Sequence, residues 1–401
     1  MQIEHLSLKN FRNYTRLEMT IPTGAVLIHG QNAQGKTSLL EAIYYAATST
    51  SPYATSDKQL INWRTEGEPM PFAQVGLEIL SANHTLNRLE ITLLRENPNT
   101  LNERFKKEIR LNGVTKRRSD VLGLIAVVMF LPQDLSLVEG SPSSRRAYMN
   151  ATLSQVNNDY AEAVAQFEKV LTSRNALLRQ IGENKNRVGE LEYWDAQLTQ
   201  SAGIIIAGRQ RFLREIENEA AKIYSDLTGG REELKLAYVP SFEPTAEGNG
   251  QLSFGIPGLD LHRQITADQI TPQYLEALLA AREEEIKRGM TLSGPQRDEL
   301  RFFVNGRDLS LYGSRGQART AVMAIKLAEL NWMREKISEW PVLLLDEVIS
   351  ELDELRRAYL LEQVQKAPQA LLTTTEPTIF TASFRNKATL WHVKAGQITG
   401  A

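Results

Sequence analysis

Two motifs that build one kind of site stand 310 residues apart, at Lys36 and Asp346, and that separation limits what the chain can fold into. The first, Gly30-Gln31-Asn32-Ala33-Gln34-Gly35-Lys36-Thr37, matches G-x-x-x-x-G-K-[ST] in full. Ala25-Val26-Leu27-Ile28-His29 before it is apolar enough for a buried strand, and Ser38-Leu39-Leu40-Glu41-Ala42-Ile43-Tyr44-Tyr45 after it reads as a helix. A strand feeding such a loop into a helix aims backbone N–H groups and the positive end of the helix dipole at one point, which is a phosphate site. The cradle would run from Gly30 to Ser38, with Lys36 reaching the β- and γ-phosphates and the Thr37 hydroxyl holding Mg²⁺. The second motif, Pro341-Val342-Leu343-Leu344-Leu345-Asp346-Glu347, is an apolar run ending in two acids, as expected of a central parallel strand with its ligands at the C-terminal edge. Asp346 would complete the Mg²⁺ shell, and Glu347 would act as general base on the attacking water. Alone, each motif has a plainer reading, a glycine turn before a lysine or a buried strand before a helix cap. Paired, they form a nucleotide-hydrolysis site for ATP and Mg²⁺. One strand-and-helix module needs far fewer than 310 residues, so something substantial is inserted between two halves of one ATPase.

A chain of 401 residues, 42% apolar and 23% charged, has room for two or three soluble domains. The net charge of −2 provides no overall basic field, so any nucleic-acid binding must come from local patches. The absence of cysteine excludes disulfides, Cys-ligated zinc and thiol catalysis, and fits a cytoplasmic protein. Met1-Gln2-Ile3-Glu4-His5 has no basic segment leading into an apolar core, and no apolar run approaches the roughly 20 residues of a membrane span. A soluble, unexported chain with no membrane partner is expected.

Along the chain, residues 1–142 read as the N-terminal half of the ATPase head, 143–288 as an inserted helical arm, and 289–401 as the C-terminal half. Alternation at Leu17, Met19 and Ile21 predicts strands ahead of the phosphate loop. Phe11-Arg12-Asn13-Tyr14 lies among them, where Arg12 and Tyr14 would touch phosphate or adenine, or else decorate an edge hairpin. Residues 72–118 continue as antiparallel sheet, with Asn112-Gly113 a type I′ hairpin signal. Around that turn Lys106, Lys107, Arg110, Lys116, Arg117 and Arg118 form either a grip on a phosphate backbone or a solvated basic hairpin. The strand Val127–Phe130 leads to Gln133, a candidate sensor of the γ-phosphate and ligand of Mg²⁺.

Apolar residues at three- and four-residue steps predict one helix over 144–181 and a second from Leu191 to Leu227. Two helices of this length folded back on each other make an arm on the order of 60 Å at 1.5 Å per residue. A loop at 240–262 and a helix from Pro272 to Lys287 bring the chain back. A hairpin at Asn305-Gly306 is followed by Gly313-Ser314-Arg315-Gly316-Gln317, which opens a long helix. Ser314, Gly316 and Gln317 could form a second anion site, or simply a capped helix with a glycine turn. As the chain already has one phosphate loop, an anion site here is most economically explained as closing on nucleotide held by another copy. Ser350-Glu351-Leu352-Asp353 follows the acids where a facing subunit could be sensed, and Ala370–Thr375 is a further strand ending in hydroxyls.

Phosphate loop, Pro-Gln, Ser-x-Gly-Gln, Leu-Asp-Glu and Ser-x-Leu-Asp in this order resemble the ABC-type ATPase heads of SMC and recombination-repair proteins. Leu8-Lys9-Asn10-Phe11-Arg12-Asn13-Tyr14, Gly140-Ser141-Pro142-Ser143-Ser144-Arg145-Arg146 and Gly294-Pro295-Gln296-Arg297-Asp298 narrow the resemblance to the bacterial RecF family, over residues 1 to about 390. Gln296, Ala318 and Glu347 depart from its usual His, Gln and second Asp. The resemblance implies an α/β fold, an ABC-type P-loop head of mixed sheet plus antiparallel β subdomain with an inserted helical arm. It implies a weak, DNA-modulated ATPase that dimerises around two ATP molecules, binds duplex DNA near gaps, and works with RecO and RecR to load RecA on single strands. By that resemblance Lys36, Thr37, Asp346, Glu347 and Gln133 form the site in one copy, and Ser314, Gly316 and Asp353 complete it from the other. Arg145-Arg146 join the basic hairpin as candidate DNA contacts. A transporter ATPase subunit is a rival, opposed by Ser314-Arg315-Gly316-Gln317 in place of Ser-Gly-Gly and by Thr373–Thr375 where a His would follow the last strand. A nucleotide-switched interaction protein is another.

Overall fold

The computed structural model describes residues 1–98, 100, 103–183, 185–242 and 265–400, in two compact units. Met1–Asp134 and Leu330–Ala401 form the first unit, and Leu135–Glu329 the second. The first unit begins with β1 (Gln2–Phe11), β2 (Tyr14–Thr20), β3 (Gly24–His29), α1 (Lys36–Thr48), β4 (Phe72–Leu80), β5 (Leu86–Glu96), β6 (Arg104–Leu111), β7 (Val114–Lys116) and β8 (Val127–Phe130). The second unit supplies α2 (Ser136–Glu139), α3 (Pro142–Ser154), α4 (Asn158–Glu183), α5 (Leu191–Thr228), β9 (Leu234–Val239), α6 (Ala267–Arg288), β10 (Glu299–Val304), β11 (Arg307–Asp308) and α7 (Leu309–Tyr312). The division falls within α8 (Arg315–Ile337), after which come β12 (Val342–Asp346), α9 (Glu354–Lys366), β13 (Gln369–Thr374), α10 (Ala382–Lys387), β14 (Thr389–Lys394) and β15 (Gln397–Thr399).

Two six-stranded sheets build the first unit. One is antiparallel throughout, in the order β2-β1-β4-β5-β6-β7, and the alternation read from sequence places Val75, Leu77, Ile79, Leu89, Ile91 and Leu93 in its core. Asn112 and Gly113 hold φ of 52° and 81°, the type I′ turn expected of Asn-Gly. The other sheet runs β15-β14-β3-β13-β12-β8, parallel except at β15. Helix α1 packs on strands of both sheets, so ten of its 13 residues are buried, Lys36, Glu41 and Thr48 among them. Gln369 joins the sheets: its Oε1 accepts from the Ile3 N–H at 2.8 Å, and its Nε2 donates to the Ile3 carbonyl at 2.9 Å.

The second unit departs from the predicted two-helix arm. The helix expected over 144–181 is two, α3 and α4, broken at 155–157, where Asn157 caps α4 by accepting from the Tyr160 N–H at 3.0 Å. Helix α6 packs on both α4 and α5, so the helices form a three-helix assembly. Gly203 and Gly208 on α5 permit this closeness: a Cβ would lie 2.9 Å from the Ala267 carbonyl oxygen at the first and 2.7 Å from the Tyr160 ring at the second. Arg174, fully buried, ties the helices by bonding Asp195 and Glu285, both at 2.7 Å, and Thr291 at 2.8 Å. Residues 289–329 group with these helices because β10 pairs with β9. Asp298 is the hub of that junction, accepting from Arg209 at 3.0 Å, from the Tyr238 hydroxyl, and from the Ser241 N–H at 3.0 Å. The predicted loop at 240–262 lies, from residue 243 on, outside the described residues.

Candidate active site

The phosphate loop joins β3 to α1 and is shaped by contacts on both its glycines. Gly35 holds φ of +117°, and a Cβ there would meet the Asn13 amide at 2.7 Å and the Tyr14 hydroxyl at 2.9 Å. Tyr14 sits this close because its hydroxyl donates to the Gly35 carbonyl at 3.0 Å, which assigns it a loop-holding role. A Cβ on Gly30 would lie 2.3 Å from the Val393 carbonyl oxygen of β14. The β14–β15 turn also binds Gln34: the Ala395 N–H donates to its Oε1 at 2.7 Å, and the Gly396 N–H to its carbonyl at 3.0 Å. Gln31, Asn32 and Ala33 form the exposed crest of the loop, and Thr37 and Ser38 are half-buried at the start of α1.

Strand order brings the two distant motifs together. β13 pairs with both β3 and β12, so residues from three parallel strand ends converge. Thr37 Oγ1 donates to Asp346 Oδ1 at 3.0 Å, and Thr373 of β13 donates to the same oxygen at 2.7 Å. Tyr53 donates to Asp346 Oδ2 at 2.5 Å; burial and the neighbouring carboxylate push its ionisation far above the ordinary phenol range, so it stays a neutral donor. Buried Lys36 donates to the carbonyls of Gly30 at 2.8 Å and Gln31 at 3.0 Å, and pairs with Glu347 Oε1 at 3.0 Å. Glu347 holds φ of +53°, a left-handed conformation rare for a carboxylic side chain, and its N–H donates to Thr373 Oγ1 at 2.9 Å. A cavity of about 890 Å³ is lined by Lys36, Thr37, Tyr53, Asp346 and Glu347 and by Gln133, whose Nε2 donates to the Pro52 carbonyl at 3.2 Å. Hydroxyl and carboxylate oxygens at Thr37 and Asp346 are hard donors of the kind Mg²⁺ takes alongside substrate phosphates. Arg12 lines the cavity too, with its fork held by Glu41 at 2.6 and 2.8 Å and by the Gln59 carbonyl at 3.1 Å.

The family model RecF/RecN/SMC N terminal domain matches residues 2–398. "DNA replication and repair protein RecF" of Chloroflexus aurantiacus is 38% identical over 409 residues, covering 99% of each chain. The protein of the same name from Halalkalibacterium halodurans is 35% identical over 399 residues, again 99% of each. The chain belongs to the RecF family. A solved structure of the recombination mediator protein RecF-ATP in the RecFOR pathway superposes with a TM-score of 0.81 at 27% identity, covering 99% of this chain and 96% of that one. The fold is accordingly the ABC-type, SMC-like ATPase head of RecF proteins.

Other RecF-like motif residues have local partners. On the second unit, Ser314 caps α8 by accepting from the Gln317 N–H at 3.2 Å, while Gln317 Oε1 accepts from the Ser314 N–H at 2.9 Å. The capped-helix reading is thus realised; the Ser314 O–H is still able to donate, and Gly316 is exposed beside it. On the first unit, exposed Asp353 caps α9 and pairs with Arg356. Arg145 is not a surface cation: it is buried against Glu299, with bonds of 2.5 and 2.9 Å, and donates to the Gly140 carbonyl at 2.9 Å. Half-buried Arg146 donates to the Asp298 carbonyl at 2.9 Å. In the basic hairpin, Lys107 is tied to the Ser49 carbonyl at 2.8 Å and to Asp57 at 3.2 Å, which answers the loss of charge that its burial favours. Arg118 donates to the Thr48 carbonyl at 3.1 Å, and Arg110 pairs with Glu108 at 2.8 Å. Lys106, Lys116 and Arg117 are exposed. Sequence reasoning missed Tyr53 and Glu41: the first lies in an aperiodic stretch, and the second occupies an ordinary helix position whose partner Arg12 is 29 residues away.

Proposed function

We propose that this chain is an ATP-dependent DNA-binding protein of recombinational repair and replication-fork maintenance in the cytoplasm. Two copies close around two Mg²⁺-bound ATP molecules, hold gapped duplex DNA, hydrolyse ATP slowly, and act with RecO and RecR in loading RecA. The observation that carries the reading is the meeting of Lys36, Thr37, Asp346 and Glu347 in one cavity of a RecF-family chain. The names of the relatives, DNA replication and repair proteins, and of the similar structure, an ATP form in the RecFOR pathway, support the repair role and ATP as the nucleotide. Ser314, Gly316 and Asp353 would meet the nucleotide of the other copy.

The chemistry follows from an exchange of partners. Lys36 turns from Glu347 to phosphate oxygens, and the freed Glu347 carboxylate, about one-third exposed, takes the proton of the attacking water. Mg²⁺, held by Thr37 and Asp346, would offset charge on the transferring phosphoryl group. Tyr53 and Thr373 keep the Asp346 carboxylate aimed, and the Gln133 amide sits where it can orient water.

Fluorescence anisotropy of a labelled gapped duplex, titrated at fixed moderate salt with Mg²⁺-ATP and with Mg²⁺-ADP, tests the reading. Tight binding only with ATP is expected; equal and negligible binding in both would remove the DNA role. Charge reversal at Lys106, Lys116 and Arg117 should weaken binding and flatten its salt dependence, by about 0.9 in the log–log slope for each phosphate no longer neutralised. Unchanged affinity would leave these three as solvated surface.

A further inference from the structure

His29 ends β3 and His392 lies on β14, and the parallel pairing of these strands sets the two directly opposite each other. Paired residues project from the same face of a sheet, so the imidazoles emerge side by side, with ring centres 5.1 Å apart and planes tilted by 40°. His29 is half-buried, whereas His392 is exposed and keeps the pair open to solvent. Burial and the neighbouring imidazole both lower the pKa of His29, so its ring is neutral at pH 7 and has a lone pair to offer. The hydroxyls on either side in the same row are engaged locally: Thr374 donates to the Glu376 carbonyl at 3.2 Å, and Thr399 to the His392 carbonyl at 3.4 Å. The backbone that carries the rings is held as well, since the Val393 carbonyl packs on Gly30 and the Ala395 N–H bonds Gln34 at 2.7 Å.

We propose that His29 and His392 chelate a divalent transition-metal ion of the Zn²⁺ class where β3 enters the phosphate loop. A ring nitrogen about 2 Å from zinc puts the ring centre about 3.2 Å away, so two imidazoles on one tetrahedral ion have centres about 5.2 Å apart. The observed spacing matches that arrangement. Imidazole suits Zn²⁺, Ni²⁺ and Cu²⁺ whereas Mg²⁺ prefers hard oxygen ligands, so this ion is distinct from the one the nucleotide cavity takes. No group of three or more His, Cys, Asp or Glu suited to a metal occurs among the described residues, so water completes the shell. The ion staples β14 to β3 one residue before Gly30, on strands that come from opposite ends of the chain. The site does not depend on the nucleotide reading of the Lys36 cavity.

Calorimetric titration of the full chain with Zn²⁺, in excess Mg²⁺ and without nucleotide, tests this on the wild type, His392→Ala and His29→Asn. The Mg²⁺ competes for the oxygen ligands Thr37 and Asp346, and His5, His84 and His262 stay in every variant as background. One tightly held ion per chain is expected for the wild type. Each substitution turns a two-point attachment into a single one and should weaken uptake by about a hundredfold. Zn²⁺ should also raise the melting temperature of the wild type and leave that of His392→Ala where it is, because only the folded pair binds. Wild-type uptake no tighter than that of His392→Ala overturns the inference. So does a loss confined to one of the two variants, which would leave a single imidazole as the ligand. His392 is exposed, so His392→Ala decides the question even if His29→Asn fails to fold.

Discussion

Asp346 accepts three side-chain hydrogen bonds, from Thr37, Thr373 and Tyr53, and each comes from a different part of the chain. A carboxylate restrained on both oxygens reaches its metal with little freedom left to lose, which is how partners outside the metal's own shell raise affinity. Tyr53→Phe removes the bond to Oδ2 and keeps the ring. The Mg²⁺ concentration for half-maximal ATPase activity should rise by about tenfold, with metal-free ATP binding unaltered. An unshifted Mg²⁺ dependence would show that Thr37 and Thr373 alone orient the carboxylate. Lys36 and Glu347 follow the same logic: the buried lysine is neutralised by a carboxylate about one-third exposed, so its charge is not left without a partner before nucleotide takes it up.

At the scale of elements, α4, α5 and α6 are held by a buried ionic cluster as well as by apolar contact. Arg174, Asp195 and Glu285 are each 0% exposed, and Arg282 adds a second cation at 2.8 Å from Asp195. Removing the central cation leaves two buried carboxylates with less compensation. Arg174→Ala should therefore cost about 3–5 kcal/mol and lower the melting temperature by on the order of 10 °C, read by circular dichroism. A loss under about 1 kcal/mol would mean that water or Arg282 takes over the cluster. Helix α1 represents another solution, a helix packed on two sheets whose middle is apolar, with Glu41 as its buried acid, satisfied by Arg12 and by Ser51 at 2.5 Å.

For the whole molecule, the chain leaves the first unit at Asp134 and returns at Leu330, and both passes are needed for the parallel sheet. Strands β13 and β14, which flank β3, come from the second pass. If two copies close on ATP, blocking hydrolysis should hold them closed. Glu347→Gln, which removes the base but retains a hydrogen-bonding group, is expected to run with Mg²⁺-ATP at about twice its 45.1 kDa mass in light scattering, and at the single mass with ADP. A variant that stays monomeric with ATP would sink the two-copy arrangement.

The phosphate loop, the acidic strand end, the Asn-Gly turns and the helical character of the insertion were legible in the sequence because each rests on local rules: spacing, alternation, or the readiness of Asn and Gly to take positive φ. The long helix α5 was legible for the same reason, its apolar stripe being continuous. What sequence could not show depends on partners far along the chain. The helix at α6 was legible, but its docking against α5 was not, because it depends on Gly203 admitting its backbone. Arg145 reads as a free cation until Glu299, 154 residues later, is brought against it. Tyr53 carries no periodic signal, and its role exists only because Asp346, 293 residues away, ends the neighbouring strand. Local backbone preferences are written residue by residue, whereas a hydrogen bond between distant residues is set by strand order, which only the folded sheet decides.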